Sequence, residues 1–107
     1  MAAKTRKQQI EEMLAEEPND PELRYALAME YVGAGDDASA VQQFQDLNAV
    51  RPDYVPAYFH LARAHHQAKD RQAAVQALHK AKELGLTAAS LHPLERETYQ
   101  RLLQDLE

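Results

Sequence analysis

The sequence predicts an all-α fold made of repeated helix hairpins, on three observations. The first is composition: the 107 residues include 19 Ala, 13 Leu and 10 Gln but only 5 Val, 1 Ile and 3 Thr. Straight-chain residues lose little rotamer freedom in a helix, whereas β-branched ones favour strands. The second is that apolar residues recur three and four apart, the period of one helix face. The third is an internal repeat. Sliding the chain against itself by 34 places sets Leu27-Ala28 on Leu61-Ala62, Ala34 on Ala68, Asp36 on Asp70, Ala40-Val41-Gln42 on Ala74-Val75-Gln76, and Phe44 on Leu78. The same offset lays Gln8-Gln9 under Gln42-Gln43, Ile10 under Phe44, Met13 under Leu47, Ala15 under Ala49 and Pro18 under Pro52. Three blocks in one register make each helix part of a unit that buries its apolar face against its neighbours.

Taken in order, the elements follow from local signals. A half unit spans 5–17, with Ile10, Met13 and Leu14 facing inward and Glu11, Glu12, Glu16 and Glu17 outward. Asp20-Pro21 then supplies a capping carboxylate before a first-turn proline; Leu23, Leu27 and Tyr31 recur every four residues, and Gly33 and Gly35 end a helix over 21–33. Asp36-Asp37 caps the next helix, in which Ala40, Val41, Phe44 and Leu47 share a face until Pro52 stops it, giving 37–51. The following block repeats the plan. Pro56 lies early in a helix carrying Phe59, Leu61 and Ala62, and Asp70 opens a helix carrying Ala74, Val75, Leu78 and Ala81, which Gly85 closes. The chain is then irregular through Ser90, and Pro93 starts a last helix over 93–106 with Leu94, Tyr99, Leu102, Leu103 and Leu106 along one broad stripe. A stack of repeats exposes an apolar face at each end, so the helices at 5–17 and 93–106 read as caps. The whole of 1–107 is predicted to be one domain with units at 21–54 and 55–88, about six helices in all.

These residues resemble the tetratricopeptide repeat family, whose unit is a 34-residue helix-turn-helix with small residues where its helices touch. Leu27-Ala28, Tyr31, Gly35-Asp36, Ala40, Phe44 and Pro52 match the pattern, and Leu61-Ala62, Asp70, Ala74, Leu78 and Ala81 match it again. The resemblance covers 21–86 directly and 8–20 as a half repeat, in the manner of a small bacterial-type member with two full repeats and capping helices. It implies a short right-handed α-solenoid. Arg24 stands where the family prefers a large aromatic, which Tyr58 supplies in the second unit; His65 replaces the tyrosine, Lys69 the glycine and Leu86 the closing proline.

Several function classes lose their footing. Apolar residues make up 45% of the chain and charged ones 27%; at this length folding buries about 65% of the unfolded surface, enough for a core without staples. With no cysteine, disulfide frameworks, thiolate zinc sites and cysteine nucleophiles are excluded together. No apolar run approaches the roughly 20 residues of a membrane span, and none follows Lys4, Arg6 and Lys7, so the expected location is the cytoplasm, without a membrane partner. The beginning at Met1 and the atypical ends fit a complete small protein. Seventeen acidic against 12 basic residues give a formal charge of -5, which provides no long-range attraction for nucleic acid. No phosphate-binding glycine loop or nucleophile elbow is present, and Ser39 and Ser90 are the only serines. Adjacent carboxylates such as Glu11-Glu12, Glu16-Glu17 and Asp36-Asp37 read as solvated faces and caps. No catalytic residue and no cofactor is assigned, and the chain is not expected to be an enzyme.

Five histidines raise a metal hypothesis. His60, His65 and His66 lie five and six apart and point to different sides of one helix; His79 and Glu83 share a face, but two ligands make a weak site. No metal ligand is assigned. What remains is a surface. In tetratricopeptide proteins the first helices of successive repeats line a concave groove, and the resemblance implies ligand-reading positions at Tyr25, Met29 and Val32 in the first unit and Phe59, His60, Arg63, His66 and Gln67 in the second. The competing reading is that Tyr25 and Phe59 simply pack against neighbouring helices and caps. The expected function is therefore an adaptor or scaffold that binds a protein segment or partner helix. Its ligand would carry an acidic residue or free carboxylate beside an aliphatic anchor, because Arg63, His60 and His66 would make the second unit locally basic. The lysine, arginine and asparagine clamp by which some family members hold acidic chaperone tails is missing, since Tyr25, Met29 and His60 occupy those places. A homodimer formed through the groove or the C-terminal stripe is the alternative, and a histidine metal site the third reading.

Overall fold

A computed structural model describes residues 3–107, and these form six α-helices and one 3-10 turn with no strand. The helices are α1 (Arg6–Glu16), α2 (Pro21–Gly33), α3 (Asp37–Val50), α4 (Val55–Gln67), α5 (Arg71–Glu83) and α6 (Pro93–Leu106), with the 3-10 turn at Ala88–Ser90. The chain divides after Pro52 into a unit holding α1 to α3 and a unit, Asp53–Glu107, holding α4 to α6. No described helix is long and apolar enough to cross a membrane.

Capping decides where these helices begin. Thr5 opens α1 with a capping box: its hydroxyl accepts from the Gln8 amide at 3.1 Å while the Gln8 side chain accepts from the Thr5 amide at 2.9 Å. The Asp20 carboxylate accepts from the amides of Glu22 and Leu23 ahead of α2, with Pro21 in the first turn. Asp36 accepts from the Ser39 amide at 3.1 Å and Asp70 from the Ala73 amide at 3.2 Å, opening α3 and α5. The hydrogen bonds from Ser39 hold the Asp36 carboxyl below its usual value. α4 begins with Pro56 in its first turn and no side-chain cap bond.

The helix ends carry the repeat just as clearly. Gly35 has φ +77°, its amide donates to the Val32 carbonyl, and the Asp36 amide reaches back to the Tyr31 carbonyl at 2.9 Å. This is a Schellman closure, in which a left-handed residue turns the chain off the helix axis. Thirty-four residues on, Lys69 adopts φ 63°, its amide donates to the His66 carbonyl, and the Asp70 amide reaches the His65 carbonyl at 2.9 Å. The geometry is conserved between the units although the glycine is not. α5 closes in the same way on Gly85 (φ +104°), with the Leu86 amide on the Ala81 carbonyl at 2.9 Å. That last bond accounts for Leu86 where the first unit has Pro52, because proline has no N–H to donate. α3 instead ends on Arg51, at φ -128° and ψ 84°, whose amide donates to the Leu47 carbonyl at 2.7 Å.

Burial repeats with the same offset. Leu27, Ala28, Ala40, Phe44 and Leu47 are buried in the first unit, and Leu61, Ala62, Ala74, Leu78 and Ala81 occupy the equivalent buried places in the second. α2 packs on α3 and α4 on α5, with α1 against α2 and α6 against both α4 and α5. Arg24, in the position of an aromatic, is half-buried and ties its unit together by donating to the Pro18 carbonyl at 2.8 Å and the Gln43 side chain at 3.3 Å.

Three expectations need correction. Met13 is 47% exposed; Ile10 and Leu14 supply the inward face of α1, and Met13 lies about 100° round the helix from Leu14. Leu94 is 82% exposed, because α6 packs through Tyr99, Leu102 and Leu106 and Leu94 is about 140° away from Tyr99. The segment before Ser90 is ordered into the 3-10 turn, which the Ser90 hydroxyl braces by accepting from the Thr87 amide at 3.1 Å and donating to the Thr87 carbonyl at 2.7 Å.

Two substitutions test this architecture. Ala40 is fully buried, so Ala40→Leu is expected to cost roughly 1–3 kcal/mol by overpacking, read as a lower urea midpoint. Lys69→Gly is expected to raise stability by about 0.5–1 kcal/mol, the strain of a left-handed side-chain residue outweighing the extra freedom of glycine in the unfolded chain, read in the same titration.

Candidate functional site

The predicted ligand-reading positions divide between α2 and α4. On α2, Tyr25, Met29 and Val32 stand four and three residues apart and so share one side of the helix. All three are half-buried. The Tyr25 ring lies 6.0 Å from the Phe44 ring, tilted by 56°, so part of this aromatic is used to pack its own hairpin. Met29 and Val32 extend the stripe toward the C-terminal end of α2, where the Lys7 ammonium sits 4.6 Å from the centre of the Tyr31 ring.

On α4 the predicted set separates into a buried and an accessible half. Phe59 is 1% and His60 4% exposed, which removes both from the surface a ligand could touch. Helix α6 is what covers them. Its Tyr99 ring meets Phe59 edge-on at 6.4 Å, Phe59 meets the His60 ring edge-on at 5.0 Å, and His60 Nε2 donates to Glu95 at 3.0 Å. Aromatic pairs prefer this edge-to-face arrangement because a positive ring edge meets a negative face. Arg63 and His66 are half-buried and Gln67 is exposed, with the Arg63 guanidinium donating to Gln67 Oε1 at 2.9 Å.

The basic character expected around Arg63, His60 and His66 is offset from within the chain. Glu95 and Asp105, near the two ends of α6, take the two histidines, the second through His66 Nε2 and Asp105 Oδ2 at 3.0 Å. The hydrogen bond from His60 holds the Glu95 carboxyl below its ordinary value against the opposing effect of burial, helped by the charge of His60 and by the backbone of His92. The far end of α6 is held by two cations: Arg71 donates to the Asp105 carbonyl at 2.6 Å and to the Leu106 carbonyl at 3.4 Å, and the Lys82 ammonium pairs with the Glu107 side chain. The Glu107 hydrogen bond pushes the Lys82 ammonium above its usual value.

Between α4 and α6 lies a pocket of about 190 Å3 lined by Arg63, His66, Gln67, Thr98, Arg101 and Leu102. Sequence reasoning found its α4 half and missed Thr98, Arg101 and Leu102. The latter three depend on how α6 docks, and the spacing of residues along α6 carries no signal of that. His79 and Glu83 do share a face, at 3.1 Å; among the described residues no three histidine, aspartate or glutamate side chains gather as a metal site.

No known protein-family model matches the chain, and no curated protein matches it.

The docking of α6 has a pH signature. A carboxyl with a lowered native value contributes stability that is fully present above its ordinary value of 4.5 and is lost as pH falls through the lowered native one. Melting temperatures measured from about pH 6 to about pH 3 are expected to separate wild type from Glu95→Gln at the upper end and to converge at the lower. Deleting residues 93–107 is expected to lower the melting temperature and promote association in light scattering, because Phe59 becomes exposed.

Proposed function

We propose that this chain is a non-enzymatic protein-interaction module of tetratricopeptide type, an adaptor acting in the cytoplasm that binds a peptide segment or partner helix. The observation that carries the reading is the recurrence, at one offset of 34 residues, of the same buried small residues, the same left-handed helix exit and the same aspartate cap. Repeats of this kind leave one face of each first helix outside their internal packing. In the first unit that face carries Tyr25, Met29 and Val32; in the second it carries Arg63, His66 and Gln67, with Phe59 and His60 taken into the core. A row of aromatic and aliphatic groups at helical spacing suits the anchors of an amphipathic helix or an extended apolar segment.

The test is capture of a partner by the full chain and by a Met29→Asp, Val32→Asp double variant, with circular dichroism to establish that helix content is unchanged. Affinity for the captured partner is expected to fall at least about tenfold. Undiminished binding rejects α2 as the contact. A mass that doubles with concentration in light scattering, and is abolished by the same two substitutions, replaces partner binding with self-association.

A further inference from the structure

We infer that the Tyr25, Met29 and Val32 stripe of α2 is read by a lysine- or arginine-rich amphipathic segment of a protein partner. The inference rests on the α2 contact proposed above and names the chemistry of what that contact takes. The first ground is where the charge sits. Met1–Pro52 holds ten acidic and five basic residues, whereas Asp53–Glu107 holds seven of each together with all five histidines. The formal charge of -5 therefore belongs wholly to the unit that carries the α2 stripe. A field of one sign draws in cationic segments and turns acidic ones away.

The second ground is that the cations of this unit are already in use while carboxylates stand at both ends of the stripe. Lys4 pairs with Glu12 at 2.8 Å and Arg6 with Glu30 at 3.4 Å. Lys7 lies over the Tyr31 ring, and Arg24 donates to the Pro18 carbonyl and the Gln43 side chain. Glu22 is exposed and meets no cation among the described residues. It stands three places before Tyr25, so Glu22, Tyr25, Met29 and Val32 follow one another along one side of α2. Past Val32 the chain turns through Asp36, which is also exposed and whose carboxyl is held below its usual value by Ser39. An apolar stripe with a carboxylate at either end is complementary to apolar anchors flanked by cations.

The third ground is the make-up of the stripe itself. Met29 is unbranched and polarisable, so it adapts to aliphatic anchors of different shape. Tyr25 presents an aromatic ring, and the contact such a ring makes with an ammonium is already seen once on this helix, at 4.6 Å between Lys7 and Tyr31. Lysine and arginine stems lay their methylenes along apolar surface while their charged heads reach the rim. Aspartate and glutamate have shorter stems and gain no attraction from the ring. From Tyr25 to Val32 the stripe is about 10 Å long, two turns of a facing helix, which matches anchors at i, i+3, i+4 and i+7.

The experiment is a two-dimensional amide NMR titration of the full chain with three synthetic helical peptides: leucines three and four places apart with lysines elsewhere, the same leucines with glutamates, and the same lysines with alanine for leucine. The lysine–leucine peptide is expected to give saturable shifts centred on Tyr25, Met29 and Val32, with each of the other two at least about tenfold weaker. Raising chloride from about 50 to about 300 mM weakens it without abolishing it, because the apolar contact is not screened. Glu22→Lys is expected to weaken it at least about threefold, while Glu83→Lys, the same change of charge in the second unit, leaves it unchanged. A glutamate–leucine peptide that binds α2 equally well overturns the inference and leaves the α2 contact standing. Shifts from the lysine–leucine peptide that gather away from α2, that the alanine peptide reproduces, or that Glu83→Lys weakens as much as Glu22→Lys reduce the attraction to net charge and overturn it as well.

Discussion

Each hairpin turns on a single aspartate that serves two helices at once. The backbone N–H of Asp36 closes α2 and its carboxylate opens α3; Asp70 does the same for α4 and α5. Ending one helix and starting the next at one residue leaves a connection too short to vary, and the two helices are brought together wherever their surfaces permit. That is why alanine occupies the buried places on both sides, at 28 and 40 and again at 62 and 74. Larger groups would hold the helices apart and the turn would have to open. The left-handed residue before each aspartate is the remaining requirement, and its persistence at Lys69 shows that the turn imposes its conformation even on a residue that resists it.

Much of this was legible in the sequence. The helix limits were readable because caps are local chemistry: an aspartate before a proline, an aspartate after a glycine, a glycine past the last apolar residue. The repeat added long-range information, since residues that recur at 34 places and bury in one unit bury in the other. Solvent exposure at the ends was less legible. Met13 and Leu94 sit at helical spacing from buried neighbours, and periodicity cannot tell which edge of an apolar stripe a single neighbouring helix will cover.

The candidate site was half legible for the same reason. Tyr25, Met29, Val32, Arg63, His66 and Gln67, the positions the tetratricopeptide resemblance implies, keep accessible surface, whereas the burial of Phe59 and His60 follows from α6, whose docking no local pattern encodes. The charges around those histidines illustrate the point. A positive face was expected from α4 alone; α6 carries Glu95 and Asp105 ten residues apart, and each reaches a different histidine. Complementarity of this kind belongs to a pair of elements, and reading one of them gives the sign of half the interaction.

The grip of Arg71 on α6 differs from those of His60 and His66 in its target. It donates to the carbonyls of residues 105 and 106 and to neither of their side chains. Carbonyls are common to every amino acid, so this anchor is indifferent to which residues occupy the last turn. Substitution can therefore proceed freely at those positions as far as Arg71 is concerned, while Arg71 itself has no such latitude. The constraint this contact imposes is asymmetric: it fixes the side chain that holds and leaves the held residues limited only by their own contacts, Asp105 with His66 and Leu106 in the core.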